Sequence, residues 1–277
     1  MVERHFAGFE YRGLNNLGDY IQSVAVERLL PAIEQRFDRD TLAYANPVVP
    51  MSIVMNGWFS HHPQTCLPLS DMLTPLFWGF HITDYNDSWN YFSRKESVNY
   101  LKRYEPIGCR DPYTADRLSQ LGVKTFVSYC LTLTLPKREY QENCDKVIVV
   151  DGEGIPLPAE LKEQAVYYTH VIPGKNREAI KRAYAKLMLD MYRREARLVV
   201  TTRLHCLLPC VAMGIPVVFF NNPDNYRTSW VGDIGVEIHT LQDIGRVDWN
   251  PIPIDMGKQK ERLITDFQYM QERVVAF

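Results

Sequence analysis

An arginine and a histidine stand two positions apart where one apolar run of the chain gives way to another. Arg203 and His205 interrupt the stretch LVVTTRLHCLLPCVAMGIPVVFF, residues 198–220. The β-branched residues before them are typical of a buried strand, and the run after them, closed by Gly214, is typical of a helix. The stretch therefore predicts a strand-to-helix turn that carries both polar side chains.

A turn of this kind can bind an anion. In an extended turn, residues i and i+2 point the same way, so Arg203 and His205 would share a face while Leu204 packs inward. The following helix, with Pro209 expected near its first turn, supplies free backbone N–H groups and the positive end of its dipole. The alternative is an arginine that caps carbonyl groups and a histidine satisfied in the core. Spacing alone leaves both interpretations open.

A second arginine has a matching place in the first half of the chain. Arg110 follows the short apolar run PIGC within residues 106–111. Two arginines from the two halves of a cleft would suit a ligand with two anionic ends. A surface ion pair between Arg110 and Asp111 explains the same residues equally well.

The elements that must position these side chains alternate between strand and helix. Strands are predicted at residues 5–11, 51–59, 76–82, 106–111, 123–130, 146–151, 165–172, 197–202 and 215–220, and helices at 20–30, 87–104, 113–122, 176–196, 206–214 and 258–275. This order predicts an α/β protein with two Rossmann-like parallel-sheet domains facing a cleft, with ligands at the carboxyl ends of the strands. The polar segment 137–146 suggests domains at 1–140 and 141–277, with the terminal helix packing back across their junction.

The composition excludes several classes of partner. A net charge of −2 and a pI near 6.4 provide no attraction to nucleic acid or an anionic membrane. The first residues lack the apolar segment of a signal peptide, and the longest apolar run, Cys206–Phe220, is too short to span a bilayer. Six cysteines without CxxC spacing suit reduced thiols, so we expect a cytoplasmic protein. The aromatic content would suit stacking on sugar rings, although core packing explains the same number.

Several motifs together resemble the polysaccharide pyruvyl transferase family. They are GLNNLGDYIQS, NGWF, PIGCRDPYTADRL, CLTLTLP and TTRLHCLLPCVAMGIPVVF, in the family's order and over nearly the whole chain. The resemblance implies a fold similar to that of B-type glycosyltransferases. It also implies transfer of the enolpyruvyl group of phosphoenolpyruvate onto two hydroxyls of one sugar, giving a pyruvate ketal.

The resemblance also implies a donor site. In that family the arginine and histidine of the RLH motif lie at the phosphoenolpyruvate site, and the arginine of the GCRD block is a second anion ligand. The expected donor-binding residues are Arg110, Arg203, Leu204, His205 and Arg227, and the alternative for Arg227 is a solvated position on the surface. His205 is the expected proton donor or hydroxyl base, and Arg203 would stabilise the departing phosphate. No cofactor and no metal are expected.

The acceptor sugar, for which lipid-linked and polymeric forms are both open, is expected on the N-terminal side. The candidate acceptor residues are Asn16, Asp19, Asn56, Trp58 and His62. Asp19 could instead stabilise the start of a helix, where a carboxylate favours the dipole. His61 and His62 are weak candidates for metal ligands, because adjacent residues rarely converge and no partner cluster follows. The acidic residues of DRD, residues 38–40, are expected to be solvated.

Two other functions fit the same residues. A glycosyltransferase could bind a nucleotide sugar in the same cleft, with Arg203 on the diphosphate. A non-catalytic sugar-binding subunit would use the cleft without turnover. The chain is short for two complete Rossmann-like halves, which suggests that one half has lost strands.

Overall fold

Strands and helices alternate along the computed structural model, which describes residues 4–139, 144–172 and 177–274. The strands are β1 (Phe6–Glu10), β2 (Gln35–Asp38), β3 (Met51–Val54), β4 (Gly57–Trp58), β5 (Leu73–Leu76), β6 (Phe80–His81), β7 (Ile107–Cys109), β8 (Thr125–Val127), β9 (Lys146–Val150), β10 (Ala165–Tyr168), β11 (Ala196–Thr201), β12 (Val217–Phe220) and β13 (Ile238–His239). The helices are α1 (Leu17–Glu27), α2 (Pro63–Cys66), α3 (Ser88–Phe92), α4 (Lys95–Lys102), α5 (Pro112–Gln120), α6 (Ala159–Gln164), α7 (Glu178–Glu195), α8 (Leu204–Met213) and α9 (Gly257–Val274). Short 3-10 helices lie at Arg39–Tyr44, Tyr85–Asp87, Leu131–Thr134, Ser229–Ile234 and Leu241–Arg246.

These strands form three sheets, and every pairing between named strands of the described residues is parallel. One sheet has the order β2-β1-β3-β5, a second β4-β6-β7-β8, and the third β10-β9-β11-β12-β13. Parallel strands separated by helices confirm the predicted α/β class, and the sheets are consistent with Rossmann-like domains.

The chain divides into two compact units, each built from separate stretches of sequence. The first takes in Met1–Leu14, Gln22–Leu131 and Glu261–Phe277, and the second Asn15–Ile21 and Thr132–Lys260. The division falls inside α1 and α9. The predicted domain boundary at residue 140 stays a prediction.

The second unit contains the five-stranded sheet, and its central strands are almost wholly apolar. β9 and β11 are rich in valine, and they pair in register so that Val149 lies beside Val200. Both faces of such a strand are buried, which explains the continuous apolar runs that predicted strands at 146–151 and 197–202. A core cluster packs around them, formed by Val147, Val149, Ile155, Leu198, Val200, Val218, Phe220 and Val247.

The first unit departs from the predicted strand pattern. The single strands expected at 51–59 and 76–82 are each broken in two, so β3 and β5 lie in one sheet and β4 and β6 in another. The breaks fall at glycines. Gly79 has a φ of +69°, in the left-handed region, and a Cβ there would collide with the Asn56 side chain. The apolar pattern continues through the break, which is why periodicity alone missed it.

The α9 helix packs its apolar face on the first unit. Phe267 is fully buried and meets Trp78 edge to face, with ring centroids 5.5 Å apart. Both belong to the core cluster of this unit, with Phe6, Val26, Leu30, Val54, Leu76 and Leu131. No described helix has both the length and the apolar composition that a membrane crossing requires.

Two further elements differ from expectation. The helix predicted at 87–104 is two helices, α3 and α4, because Arg94 between them has an extended backbone. The strand predicted at 165–172 ends at Tyr168, since the next two residues turn to hydrogen-bond the Asp151 side chain. The helix predicted at 176–196 is α7, and residues 173–176 lie outside the described residues.

Candidate anion site and sugar-facing residues

Three neighbouring strands end together at one edge of the five-stranded sheet. β11 pairs with β9 on one side and with β12 on the other, so their carboxyl ends lie side by side. Asp151 follows β9, Arg203 follows β11 after Thr202, and Asn221 follows β12. Ligands of parallel α/β sheets bind at this edge.

Arg203 is held by Asp151. Its Nε donates to Asp151 Oδ2 at 2.7 Å, and its backbone N–H donates to Thr201 Oγ1 at 3.0 Å. The arginine side chain is 40% exposed, and within the described parts of the chain its two Nη groups have no hydrogen-bond partner. The guanidinium is therefore oriented from one side while most of its donors stay available to an anion.

Asp151 is the residue that holds this arrangement together. Its residue type and spacing did not mark it as a site candidate. Besides Arg203 it accepts hydrogen bonds from Thr169 Oγ1 at 2.5 Å and from the His170 backbone N–H at 3.0 Å. Burial alone would raise the pKa of the Asp151 carboxyl, but these hydrogen bonds and the Arg203 charge lower it, so the group is ionised at neutral pH. Its φ of +49° is rare outside glycine and is a feature that functional sites retain. The signal for it was an acid directly after the apolar strand VIVV.

The turn around His205 is tighter than predicted. α8 begins at Leu204 with Arg203 as its N-cap, because the Arg203 carbonyl already accepts from the N–H groups of Cys206 and Leu207. His205 thus lies in the first helical turn, and the expectation of an extended turn is wrong. Leu204 is half-buried where full packing was expected. Pro209 lies in the second turn, where it cannot donate to the His205 carbonyl.

The first turn of α1 packs against this histidine. A Cβ placed on Gly18 would lie 3.1 Å from His205 Nδ1 and 3.3 Å from His205 Cβ. The start of α1 is fixed to β10's end by hydrogen bonds from Leu17 N–H to the His170 carbonyl at 2.7 Å and from Ile172 N–H to the Asn15 carbonyl at 2.8 Å. Gly18 of the NNLGD motif, which lacks a side chain, therefore leaves space for the His205 imidazole.

Asn16, just before α1, and Asp19, in the first turn of α1, bind each other. Asn16 Nδ2 donates to Asp19 Oδ2 at 3.2 Å, and Asn16 Oδ1 accepts from the Gly18 N–H at 3.1 Å. Asp19 is buried in the first turn of α1, where a carboxylate stabilises the helix dipole. Both residues belong to the second unit, as His205 does. A role toward the acceptor stays a prediction for both.

A buried histidine lies next to Asp151. His170 Nε2 and the Tyr192 hydroxyl are 2.7 Å apart, and His170 Nδ1 is buried with no hydrogen-bond partner among the described residues. Burial lowers the pKa of His170 to about 4; the Arg203 charge also lowers the pKa, and the Asp151 charge raises it. The ring is therefore neutral at physiological pH.

An open pocket of about 440 Å³ adjoins the anion site on the β12 side. Its lining includes Asp151, Thr202, Phe220, Asn221, His239 and Thr240. Amide, hydroxyl and imidazole groups of this kind can bind sugar or nucleotide hydroxyls. Arg227 lies farther along the chain with an exposed side chain, and its backbone N–H donates to Asn225 Oδ1 at 3.1 Å. Its part in donor binding stays a prediction.

Arg110 has the matching position in the first unit, between β7 and α5. It is 2% exposed, and its Nε lies 3.9 Å from Asp111 Oδ2, so the surface ion pair considered above is instead a buried one. Asp111 caps α5 through the Thr114 N–H at 2.9 Å and pairs with His81 Nδ1 at 2.5 Å. Burial would raise the pKa of Asp111, but the neighbouring His81 and Arg110 lower it. Anion binding by Arg110 stays a prediction.

The predicted acceptor residues of the first unit have different environments. Asn56 is buried, and its amide binds Cys130 Sγ at 3.7 Å and the Leu131 N–H at 3.2 Å. Trp58 is half-buried and donates through Nε1 to Thr83 Oγ1 at 2.9 Å. His62 is exposed, and its ring centroid lies 4.1 Å from that of His61. Sugar binding by these three residues stays a prediction.

The acidic residues expected to be solvated are partly buried instead. Arg39 and Asp40 are buried, and His61 Nδ1 lies 2.6 Å from Asp40 Oδ2. Ligand atoms of Asp40, His61 and His62 lie within 4.8 Å of one another, so the two histidines do have a partner, contrary to the sequence argument. Residues 40 and 61 are far apart in sequence, so their closeness in the fold could not be read from the sequence.

Parallel α/β sheets with an arginine and a histidine at a strand-to-helix junction are typical of proteins that bind anionic ligands at the carboxyl ends of their strands. The sequence model of polysaccharide pyruvyl transferases matches residues 16–225. The chain therefore belongs to the polysaccharide pyruvyl transferase family, and it is a transferase whose general activity is pyruvylation of polysaccharide.

A solved structure similar to this chain is that of a functionally uncharacterized protein from Klebsiella pneumoniae. The two share 15% sequence identity with a TM-score of 0.48, over 85% of this chain and 93% of the other. A search of curated proteins finds no match.

Proposed function

We propose that the enzyme transfers the enolpyruvyl group of phosphoenolpyruvate onto two hydroxyls of one sugar in a polysaccharide or its precursor, giving a pyruvate ketal. The observation that supports this most is the Arg203 guanidinium, oriented by Asp151 through Nε with its Nη groups available, beside His205 at a helix N-terminus. A small donor with two anionic groups, a phosphate and a carboxylate, fits these groups, because guanidinium donors and helix N–H groups both bind phosphate and carboxylate.

The chemistry assigns separate tasks to these groups. A proton is added to the donor's methylene carbon, a sugar hydroxyl oxygen bonds to C2, and the phosphate leaves from C2. The second hydroxyl then bonds to C2 and closes the ketal. The two sugar hydroxyls lose two protons in all. One accounts for the proton gained by the methylene carbon, which becomes a methyl group, and the other leaves with the phosphate. His205 moves a proton in this scheme, and Arg203 with the helix N-terminus stabilises the departing phosphate.

The remaining expected residues complete the proposal. Arg110 is proposed as a second anion ligand, with Leu204 and Arg227 also contacting the donor. Asn16, Asp19, Asn56, Trp58 and His62 are proposed to contact the acceptor. We expect the reaction to need neither cofactor nor metal, and we expect the enzyme to work in the cytoplasm.

A glycosyltransferase that uses a nucleotide sugar is the second candidate. The pocket of about 440 Å³ beside Thr202 favours it, because that volume exceeds what a ligand as small as phosphoenolpyruvate requires. In that function Arg203 would bind the diphosphate. The same pocket also leaves room for an acceptor sugar, so its size alone does not decide.

Product analysis separates the two. Phosphate release is measured from phosphoenolpyruvate with a galactoside or an acetylated hexosamine as acceptor, with and without a chelator. We expect phosphate release that depends on the sugar and survives the chelator. Nucleotide release from a sugar nucleotide, with no phosphate from phosphoenolpyruvate, would establish the glycosyltransferase instead.

A further inference from the structure

Two charged stretches that the proposed reaction leaves without a role meet in the first unit. Arg39 and Asp40 begin the 3-10 helix after β2, and His61 follows β4. Arg39 donates to both oxygens of Asp40, from Nε at 2.9 Å and from Nη2 at 3.2 Å. The guanidinium is itself buried, with its carbon 5.4 Å from the Tyr11 ring centroid and 5.6 Å from that of Trp58. The Asp40 carboxylate is thus fixed in place.

Asp40 in turn fixes the imidazole of His61. His61 Nδ1 lies 2.6 Å from Asp40 Oδ2. Burial would raise the pKa of Asp40, but Arg39 and His61 lower it, so the carboxylate is ionised and accepts the hydrogen carried by Nδ1. In the neutral ring Nε2 then presents a lone pair, and among the described residues it has no hydrogen-bond partner. The side chain of His61 is 26% exposed, so a ligand can reach it.

Aromatic rings surround this imidazole. The Trp58 ring is stacked against it with centroids 6.1 Å apart, and the Tyr85 ring meets Trp58 edge to face at 5.3 Å. Tyr85 is 50% exposed. A ring surface beside an oriented hydrogen-bond acceptor suits a pyranoside, which offers an apolar C–H face and hydroxyl donors together.

The charges favour this ligand over a metal ion. A cation held by Asp40, His61 and His62 would compete with Arg39 for both carboxylate oxygens, and it would stand next to a buried guanidinium. A neutral sugar hydroxyl neither competes with Arg39 for the carboxylate nor places a second positive charge beside the guanidinium.

We propose that the Asp40–His61 pair and the rings of Trp58 and Tyr85 bind the acceptor sugar. Its substrate class rests on the proposed function. A hydroxyl of a pyranoside donates its hydrogen to His61 Nε2, the two aromatic rings contact the sugar ring, and Asp40 positions the imidazole without touching the sugar.

The test measures sugar binding to the whole protein by NMR in the absence of phosphoenolpyruvate. The probes are methyl glycosides of galactose and of acetylated hexosamines, up to tens of millimolar. His61→Asn keeps a donor toward Asp40 but loses the second ring nitrogen, and we expect affinity to fall about tenfold, as for one lost hydrogen bond. His5→Asn is the matched control, because His5 is 27% exposed and its Nδ1 lies 2.8 Å from Glu34 in the same unit. Tyr85→Leu should weaken binding several-fold, whereas the exposed Tyr44→Leu should not.

The outcomes separate this inference from the proposed reaction. Sugar binding that falls in His61→Asn and Tyr85→Leu supports the site even if phosphoenolpyruvate is never consumed. Wild-type affinity in His61→Asn overturns it even if the reaction runs, as does a wild-type protein that binds none of the glycosides. Stoichiometric binding of added Zn²⁺ that is lost in both His61→Asn and His62→Asn, without sugar binding, would assign a metal site instead.

Discussion

Arg203 remains able to bind an anion because only one of its hydrogen-bond donors, Nε, is used by Asp151. A carboxylate that bound the whole guanidinium fork would neutralise the arginine and cover it. Here the contact is through Nε alone, and Asp151 is further occupied by Thr169 and His170. The pair therefore orients the charge at the cost of a single hydrogen bond.

Replacing this arginine should weaken donor binding specifically. In Arg203→Ala we expect phosphoenolpyruvate affinity to fall by roughly 2 kcal/mol or more, about thirtyfold, with little rescue in Arg203→Lys because an ammonium cannot reproduce the fork. Calorimetric titration measures it. Arg194→Ala is the control, since Arg194 also pairs with a carboxylate, Asp190, but on the surface of α7. Unchanged affinity in Arg203→Ala would show that the donor binds elsewhere.

His205 should matter for turnover more than for binding. In His205→Ala and His205→Gln we expect the rate of phosphate release to fall about 10²–10⁴-fold, since general acid–base catalysis contributes that much. Donor affinity should fall less, because Arg203 and the helix N-terminus still bind the anion. Single-turnover and titration measurements separate the two effects, with His5→Gln as a control. Equal rates in the wild type and both variants would exclude proton transfer by His205.

Residue types singled out Arg203 and His205 as site candidates, and only contacts between distant residues brought in the others. Arg203 and His205 were identifiable because polar residues interrupt a strongly apolar run. Asp151 was harder to find because its role depends on Thr169, His170 and Arg203, which are 18 or more positions away. The same applies to Asp40 and His61, whose separate motifs carried no sign that they meet.

At the scale of elements, apolar periodicity located strands but not their ends. β9 and β11 were predicted closely because their valine-rich runs are buried on both faces. The breaks between β3 and β4 and between β5 and β6 were missed, since apolar residues continue through them and only Asn56, Gly57 and Gly79 mark the bend. α8 began earlier than expected because the Arg203 carbonyl already takes helical hydrogen bonds.

The first turns of α1 and α8 are in close contact, and this contact leads to a prediction about the position of His205. In Gly18→Ala the new methyl group would lie 3.1 Å from His205 Nδ1 and 3.2 Å from Asn16 Oδ1. Because the imidazole and the Asn16 amide must give way by a few tenths of an ångström, we expect phosphate release to fall by about one to two orders of magnitude, with a smaller change in donor affinity. Gly245→Ala is the matched control, since nothing lies within 4 Å of its Cβ position. Wild-type turnover in Gly18→Ala would show that this packing does not position His205.

At the scale of the whole molecule, no linear cut describes the two compact units. Residues 15–21 group with the C-terminal half and residues 261–277 with the N-terminal half. Periodicity located α1 and α9 correctly as helices. Periodicity could not show which compact unit each end of these helices joins. That assignment depends on contacts with distant residues, such as Phe267 with Trp78 and Leu17 with His170.

The buried His170 links the stability of the folded protein to pH. Its folded-state pKa of about 4 lies below the ordinary value of 6.5, because the buried ring cannot be hydrated when charged. Between these two values the unfolded chain binds a proton that the folded chain does not. The free energy of unfolding therefore falls as the pH is lowered from 6.5 to about 4, and this contribution is constant outside that window.

Replacing His170 should remove this part of the pH dependence. At 1.36 kcal/mol per pKa unit, the wild type should lose about 3 kcal/mol more than His170→Gln across the window from pH 6.5 to about 4. Denaturant unfolding at several pH values measures the difference. His5→Gln is the control, because it replaces a partly exposed histidine and leaves the buried His170 in place. The ionised carboxylates Asp40 and Asp111 are present in all three proteins, so their loss of charge at still lower pH cancels in the comparison. Parallel curves for the wild type and His170→Gln would mean that His170 is not held neutral by burial.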